Sequence, residues 1–226
     1  SAWVARCRVA IDGPLDVPAL ERALARTAER WEILRTGFQI PPGLTEPLQV
    51  IAAAAPPVLA VRDGSLDRLA PPADLAGVPL LAAGLVCLAP GKAQLALAMP
   101  ALVADDAGLD LLVRSLAQSY AEERGERSLV AEEGDEPLQY ADLADWLCEL
   151  LESPDTAAGR AYWGRQEIPA LAAGELPLAQ PIAPGGAFAP ACVAVRLDSE
   201  AAAGLAALAR SLGVDFLDLL AAAWGV

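Results

Sequence analysis

Ala93-Gln94-Leu95-Ala96-Leu97-Ala98-Met99-Pro100-Ala101-Leu102-Val103-Ala104-Asp105-Asp106-Ala107-Gly108-Leu109 is the stretch on which the fold turns. Its first seven residues are an apolar run of strand length. A similar run at 80–88 reaches it through Pro90-Gly91-Lys92, so the two read as a β-hairpin whose second strand is buried. Over 105–123, Leu109, Leu112, Val113, Leu116 and Tyr120 recur on a helical period. This strand-to-helix junction is where chemistry would sit. The adjacent carboxylates Asp105 and Asp106 stand near the positive end of that helix, where they could cap it or act as acid and base.

Upstream, the apolar-rich run at 3–11 ends at Asp12-Gly13-Pro14 and reads as a strand followed by a turn. A helix follows, with Asp16 as cap, Pro18 in its first turn, and Leu20, Leu24, Ala28 and Trp31 on one face. Pro41-Pro42-Gly43 forces a loop after 33–40. Short strands are expected at 48–52 and 58–61, and a short helix at 65–76. Downstream, an acidic, poorly patterned loop at 122–136 leads to helices at about 138–152 and 155–168. The Pro- and Gly-rich segment 169–190 reads as a linker. Beyond it, 191–197 alternates as a strand, Asp198 or Ser199 caps a helix to about Leu212, and Gly213 stops it. A last apolar helix is expected over 214–226. The organisation is therefore 1–168, a linker at 169–190, and a second unit begun at 191–226.

At 226 residues the chain is long enough for a substantial core. Sixteen basic against thirty acidic residues give a net charge of −14, and there is no histidine. That zero removes the common general base near neutral pH, the commonest metal ligand and every Ser-His-Asp or Cys-His arrangement. No metal site is expected: Cys7, Cys87, Cys148 and Cys192 lie far apart with no CxxC spacing, which fits a reducing cytoplasm. Without clustered Lys and Arg, nucleic acid is not an expected partner. The uncharged stretch 176–195 has membrane-spanning length, but Pro177, Pro181, Pro184, Pro190 and Gly185-Gly186 break it, so no membrane association is expected. No serine sits in a G-x-S-x-G turn, no phosphate-binding glycine loop is present, and the single lysine, Lys92, falls in the hairpin turn. Without an initiator Met or a signal-peptide pattern, and ending within a helical run, the chain reads as part of a longer polypeptide.

Several segments, in order, resemble the condensation domain family of nonribosomal peptide synthetases. Residues 11–24 look like its first strand, turn and helix. Arg30-Trp31-Glu32-Ile33-Leu34-Arg35-Thr36-Gly37-Phe38 is similar to R-H-E-x-L-R-T-x-F, with Trp31 where histidine is usual. Residues 100–106 fall on the active-site motif H-H-x-x-x-D-G. Tyr140-Ala141-Asp142-Leu143-Ala144-Asp145-Trp146 looks like Y-x-D-[FY]-A-x-W, and Ala161-Tyr162-Trp163 like the helix after it.

The resemblance implies an α/β (α+β sandwich) fold, a chloramphenicol acetyltransferase-like lobe of a two-lobed domain with the start of the second lobe. Carrier proteins would deliver acyl groups to such a domain on phosphopantetheine arms, with no cofactor bound directly. In the motif, Pro100 and Ala101 replace both histidines, Asp105 is retained, and Asp106 replaces glycine. A methyl group accepts no proton, and losing a general base lowers a rate about 10²- to 10⁴-fold.

The resemblance thus implies a domain degenerate for amide formation. Such a domain could dock carrier proteins and neighbouring synthetase domains, or recruit a tailoring enzyme in trans as oxygenase-recruiting relatives do. The alternative is an acyl-transfer or cyclisation variant that uses Asp105 without histidine. Asp105 is expected in a structural ion pair, with Arg35 or with an arginine of the second lobe. Trp31, Tyr140, Trp146 and Trp163 are expected as core aromatics. Residues 115–168, with 13 acidic and 4 basic groups, suit either a basic partner face or a solvated acidic loop.

Overall fold

The computed structural model describes residues 3–126, 137–166 and 193–224. The chain divides into two compact units, residues 1–181 and 182–226. In the first, β1 (Val4–Asp12) leads into α1 (Val17–Arg30), a 3₁₀ turn (Glu32–Arg35), β2 (Thr36–Gln39), β3 (Leu48–Ile51) and β4 (Leu59–Arg62). The hairpin β5 (Ala82–Ala89) and β6 (Lys92–Pro100), then α2 (Asp106–Glu123), α3 (Tyr140–Glu152), a 3₁₀ turn (Pro154–Thr156) and α4 (Ala157–Trp163) complete it. The second unit contains α5 (Ser199–Leu212) and α6 (Phe216–Trp224).

The main sheet has the order β1-β6-β5-β4, antiparallel except for the β4–β5 pair, and β2 and β3 form a separate antiparallel ribbon. β6 runs down its centre, and its register shows why the run at 93–99 is apolar throughout. Leu95, Leu97 and Met99 pack in the cluster that contains Leu24 of α1 and Leu109 of α2, while Ala96 and Ala98 join Leu66 and Leu69 in a second cluster. A strand covered on both faces shows no polar alternation. Large residues meet the helices and alanines meet the loop. Gly84 on β5 extends this economy of space, because a Cβ there would lie 2.9 Å from Leu66 Cδ2. Gly13, at φ +115°, lets β1 turn, and its N–H donates to the Gly91 carbonyl at 2.8 Å, tying the end of β1 to the hairpin turn.

α1 begins as expected: the Asp16 side chain accepts from Ala19 N–H at 3.0 Å, and Pro18 lies in the first turn, where no intrahelical donor is lost. α1 and α2 are joined by polar contacts as well as by leucines. Trp31 Nε1–H donates to Ser115 Oγ at 2.9 Å, the Thr27 and Ser119 hydroxyls lie 3.3 Å apart, and Asp16 N–H donates to the Tyr120 hydroxyl at 2.9 Å.

Four expectations are corrected. Residues 65–76 form turns, not a helix: Leu66 and Leu69 are buried three residues apart, but Pro71-Pro72 halts any propagation. Residues 193–197 form no strand, and Val193 and Val195 are 87% and 81% exposed. Alternation favours a strand but does not supply the neighbour whose backbone completes a ladder. Tyr140, Trp146 and Trp163, expected in the core, are 53%, 55% and 62% exposed, and only Trp31 packs against the main cluster. The helix expected at 155–168 is shorter, Ala157–Trp163 after a 3₁₀ turn. The linker at 169–190, most of the acidic loop at 122–136, and residues 191–192 lie outside the described residues. In the second unit, Asp198 caps α5 by accepting from Ala201 N–H at 2.7 Å, and Gly213 ends it at φ +67°.

Candidate functional site

The junction after β6 is fixed by its backbone. Pro100 is buried at the last position of the β1–β6 ladder, opposite Val4, where its missing N–H costs no interior ladder bond. Ala101 N–H donates to the Trp3 carbonyl at 3.1 Å, and Val103 N–H donates to the Pro100 carbonyl at 3.0 Å, closing a turn. Val103 and Ala104 pack against the core, leaving Ala101 and Leu102 exposed. Asp105 then stops the extended backbone and starts α2. Its Oδ1 accepts from Gly108 N–H at 2.7 Å, and its carbonyl accepts from Leu109 N–H at 2.9 Å. Asp106 is exposed in the first helical turn, where its negative charge complements the helix dipole.

The positions at which the resemblance places histidines therefore carry a buried proline ring and an exposed methyl group. Neither accepts a proton. Of the two adjacent carboxylates, Asp105 is hydrogen-bonded to the helix terminus, and Asp106 stands in solvent beside it.

The structure does not bring Arg35 to Asp105. Arg35 Nη2 pairs with Glu32 Oε1 at 3.0 Å and Nη1 donates to the Ala52 carbonyl at 2.5 Å, while Ala52 N–H donates back to the Arg35 carbonyl at 3.0 Å. These bonds fasten the 3₁₀ turn to the end of β3. The guanidinium is largely buried among nearer acceptors, and the Asp105 carboxylate is taken up by its own helix. No Asp105–Arg35 ion pair occurs among the described residues.

Two residues that motif reasoning passed over hold this region together. Ser115 accepts the Trp31 indole N–H, giving the tryptophan at the usual histidine position a polar partner on α2. Gln139 clamps the start of α3 to the segment 30–32. Its Oε1 accepts from Glu32 N–H at 3.0 Å and its Nε2 donates to the Arg30 carbonyl at 3.0 Å. The legible signal for Gln139 was a capping box, since Asp142 Oδ2 reaches back to accept from Gln139 N–H at 3.2 Å.

Beside the junction, an open groove of about 310 Å³ runs between β1 and α2, lined by Arg6, Cys7, Arg8, Asp106, Leu109 and Asp110 among others. Partial burial pushes the Cys7 thiol above its ordinary pKa, opposed by a hydrogen bond with the Leu97 backbone. Among the described residues no group of three or more Cys, Asp or Glu side chains is arranged to hold a metal ion. No described helix is long and apolar enough to cross a membrane.

A hairpin feeding a helix through a buried proline, under two antiparallel helices, places this chain in the α/β, chloramphenicol acetyltransferase-like class of its condensation-domain structural neighbours. The X-domain from teicoplanin biosynthesis superposes with a TM-score of 0.68 at 28% identity, over 95% of this chain and 49% of that one. The same domain in complex with OxyB gives 0.66 at 26% identity, over 95% and 49%. In sequence, the chain is 35% identical over 213 residues to the probable non-canonical nonribosomal peptide synthetase CymA of Salinispora arenicola, covering 90% of this chain and 3% of CymA. The condensation domain pattern matches residues 1–226, and the chain belongs to that family. It spans about half of the solved X-domain chain and a small part of the synthetase it matches.

Proposed function

We propose that this chain is part of a condensation-like domain of a modular nonribosomal peptide synthetase that has lost ordinary amide formation and serves as a docking platform. Residues 1–168 would form most of the first lobe, 169–190 the linker and 191–226 the start of the second lobe, in a cytoplasmic polypeptide. The observation that carries the reading is Ala101. The turn that presents it is held by two backbone hydrogen bonds, yet its side chain can neither take a proton from an amine nor orient one. The platform's partners are carrier protein domains, bearing phosphopantetheine arms, or a tailoring enzyme supplied in trans. Likeness to an X-domain solved in complex with OxyB supports the tailoring-enzyme arm. The alternative, an acyl-transfer or cyclisation variant, would use Asp105, whose carboxylate also accepts from Gly108 N–H.

The test is to install Pro100→His, Ala101→His and Asp106→Gly in the full-length synthetase and follow condensation between loaded carrier proteins. The unmodified domain is expected to form no amide above background, and the triple variant to gain rate. Ordinary turnover by the unmodified domain, unchanged by Ala101→His, would overturn the reading.

A further inference from the structure

Trp31 stands where three elements meet, and each grips it differently. Its backbone N–H donates to the Thr27 carbonyl at 3.1 Å, closing α1, and its carbonyl accepts from Leu34 N–H at 3.1 Å, opening the 3₁₀ turn. On either side of it, Gln139 holds the backbone: its amide accepts from Glu32 N–H and donates to the Arg30 carbonyl, both at 3.0 Å. The indole leaves this segment in another direction. It packs against the main apolar cluster, and its N–H donates to Ser115 Oγ of α2 at 2.9 Å. A half-buried indole N–H is costly to leave without a partner, so this bond favours one placement of the ring.

These bonds restrain different bodies. Gln139 is the N-cap of α3, so the backbone of 30–32 cannot shift without breaking the bonds of that amide or carrying it along. Ser115 lies nine residues beyond Asp106, about 14 Å along one continuous helix. Of the polar contacts that α1 and its C-cap make with α2, the Trp31–Ser115 bond is nearest the turn at 100–105. Thr27–Ser119, Asp16–Tyr120, Arg26–Glu122 and Arg22–Glu123 all lie farther along α2. Apolar burial between the two helices is non-directional, whereas a hydrogen bond fixes a distance and an angle.

We infer that Trp31 is a positioning residue that couples the start of α3 to α2, so that Gln139, Trp31 and Ser115 act as one joint and set where the turn at 100–105 stands. Coupling of this kind is reciprocal. What displaces the start of α3 also displaces α2, and what loads the turn is felt at α3. The joint does not depend on whether the domain forms amides.

Amide hydrogen exchange in the full-length polypeptide, read by peptide mass, tests the joint. Ser115→Ala removes the acceptor, and Trp31→Phe removes the donor while keeping an aromatic ring. Either should speed exchange about two- to ten-fold, the equivalent of one lost hydrogen bond, both in α2 (106–119) and at the start of α3 (140–146). Gln139→Ala should speed exchange in α2 as well, although Gln139 makes no hydrogen bond to α2 among the described residues. Asp142→Ala, which removes only the acceptor of Gln139 N–H, should loosen α3 alone. Ser115→Thr keeps a hydroxyl and should return α3 to its original exchange. Combining Ser115→Ala with Gln139→Ala should add little to the larger single effect, because one joint is broken once. β6, at 93–99, is the reference and should not change. Effects of Ser115→Ala confined to α2, effects of Gln139→Ala confined to α3, or single effects that multiply in the double variant would each overturn the coupling. So would a loss of protection in β6 as large as that in α2 and α3, which would mark a general loss of stability.

Discussion

The layer formed by β5, β6, α1 and α2 and the turn between β6 and α2 adjoin one another, yet they are held in different ways. In the layer, side chains decide: Leu24, Leu85, Leu97, Met99 and Leu109 are each no more than 1% exposed, and each fills space that its neighbours leave. In the turn, the backbone decides. The Trp3 and Pro100 carbonyls and the Asp105 cap fix residues 100–105, while the side chains of Ala101, Leu102 and Asp106 stand at the surface. A turn held in this way keeps its shape when its side chains change. Different side chains can therefore be carried at 101, 102 and 106 on one unchanged frame.

This contrast can be broken by mutation. Leu97→Ala, in the centre of the layer, should cost about 2–5 kcal/mol in a denaturant titration, through lost burial and a residual cavity. Asp105→Ala removes the side-chain cap of α2 and should cost about 0.5–2 kcal/mol, while Asp105→Asn, which caps nearly as well, should recover most of it. Recovery by asparagine would also separate capping from any role that needs a negative charge. Ala101→His should shift stability by no more than about 0.5 kcal/mol, because the position is exposed and its anchoring bond belongs to the backbone. If Ala101→His unfolds the protein as strongly as Leu97→Ala, the turn is not an independent frame.

Most of the first unit was legible because local rules and tertiary packing agree there. The caps Asp16, Asp105 and Asp198, the hairpin turn at 90–92 and the stop at Gly213 each follow from one or two residues. The errors arose where a local pattern needs a distant partner. Residues 191–197 alternate, but a strand exists only beside another strand. Leu66 and Leu69 have helical spacing, yet they serve as two plugs over Gly84. For the aromatic residues of 140–163, hydrophobicity alone cannot distinguish a buried face from an uncovered one. At the site, residue types and capping could be read directly, and the family pattern marked the positions at which the resemblance places histidines. The expected Asp105–Arg35 pair failed because each residue has nearer partners, Gly108 N–H for one and Glu32 with the Ala52 carbonyl for the other. Such competition is invisible without coordinates.

Trp31 gives the protein an optical signature. Of the five tryptophans, Trp3, Trp146, Trp163 and Trp224 are exposed, and their emission should report water. Trp31 is half-buried where α1 meets α2, with its indole N–H on Ser115 and the Arg30 guanidinium 5.7 Å from its ring centroid. The short-wavelength part of the intrinsic fluorescence should therefore come from Trp31, at the seam between the two helices that cover the sheet. At this seam Trp31 is a built-in dye for the parting of those helices.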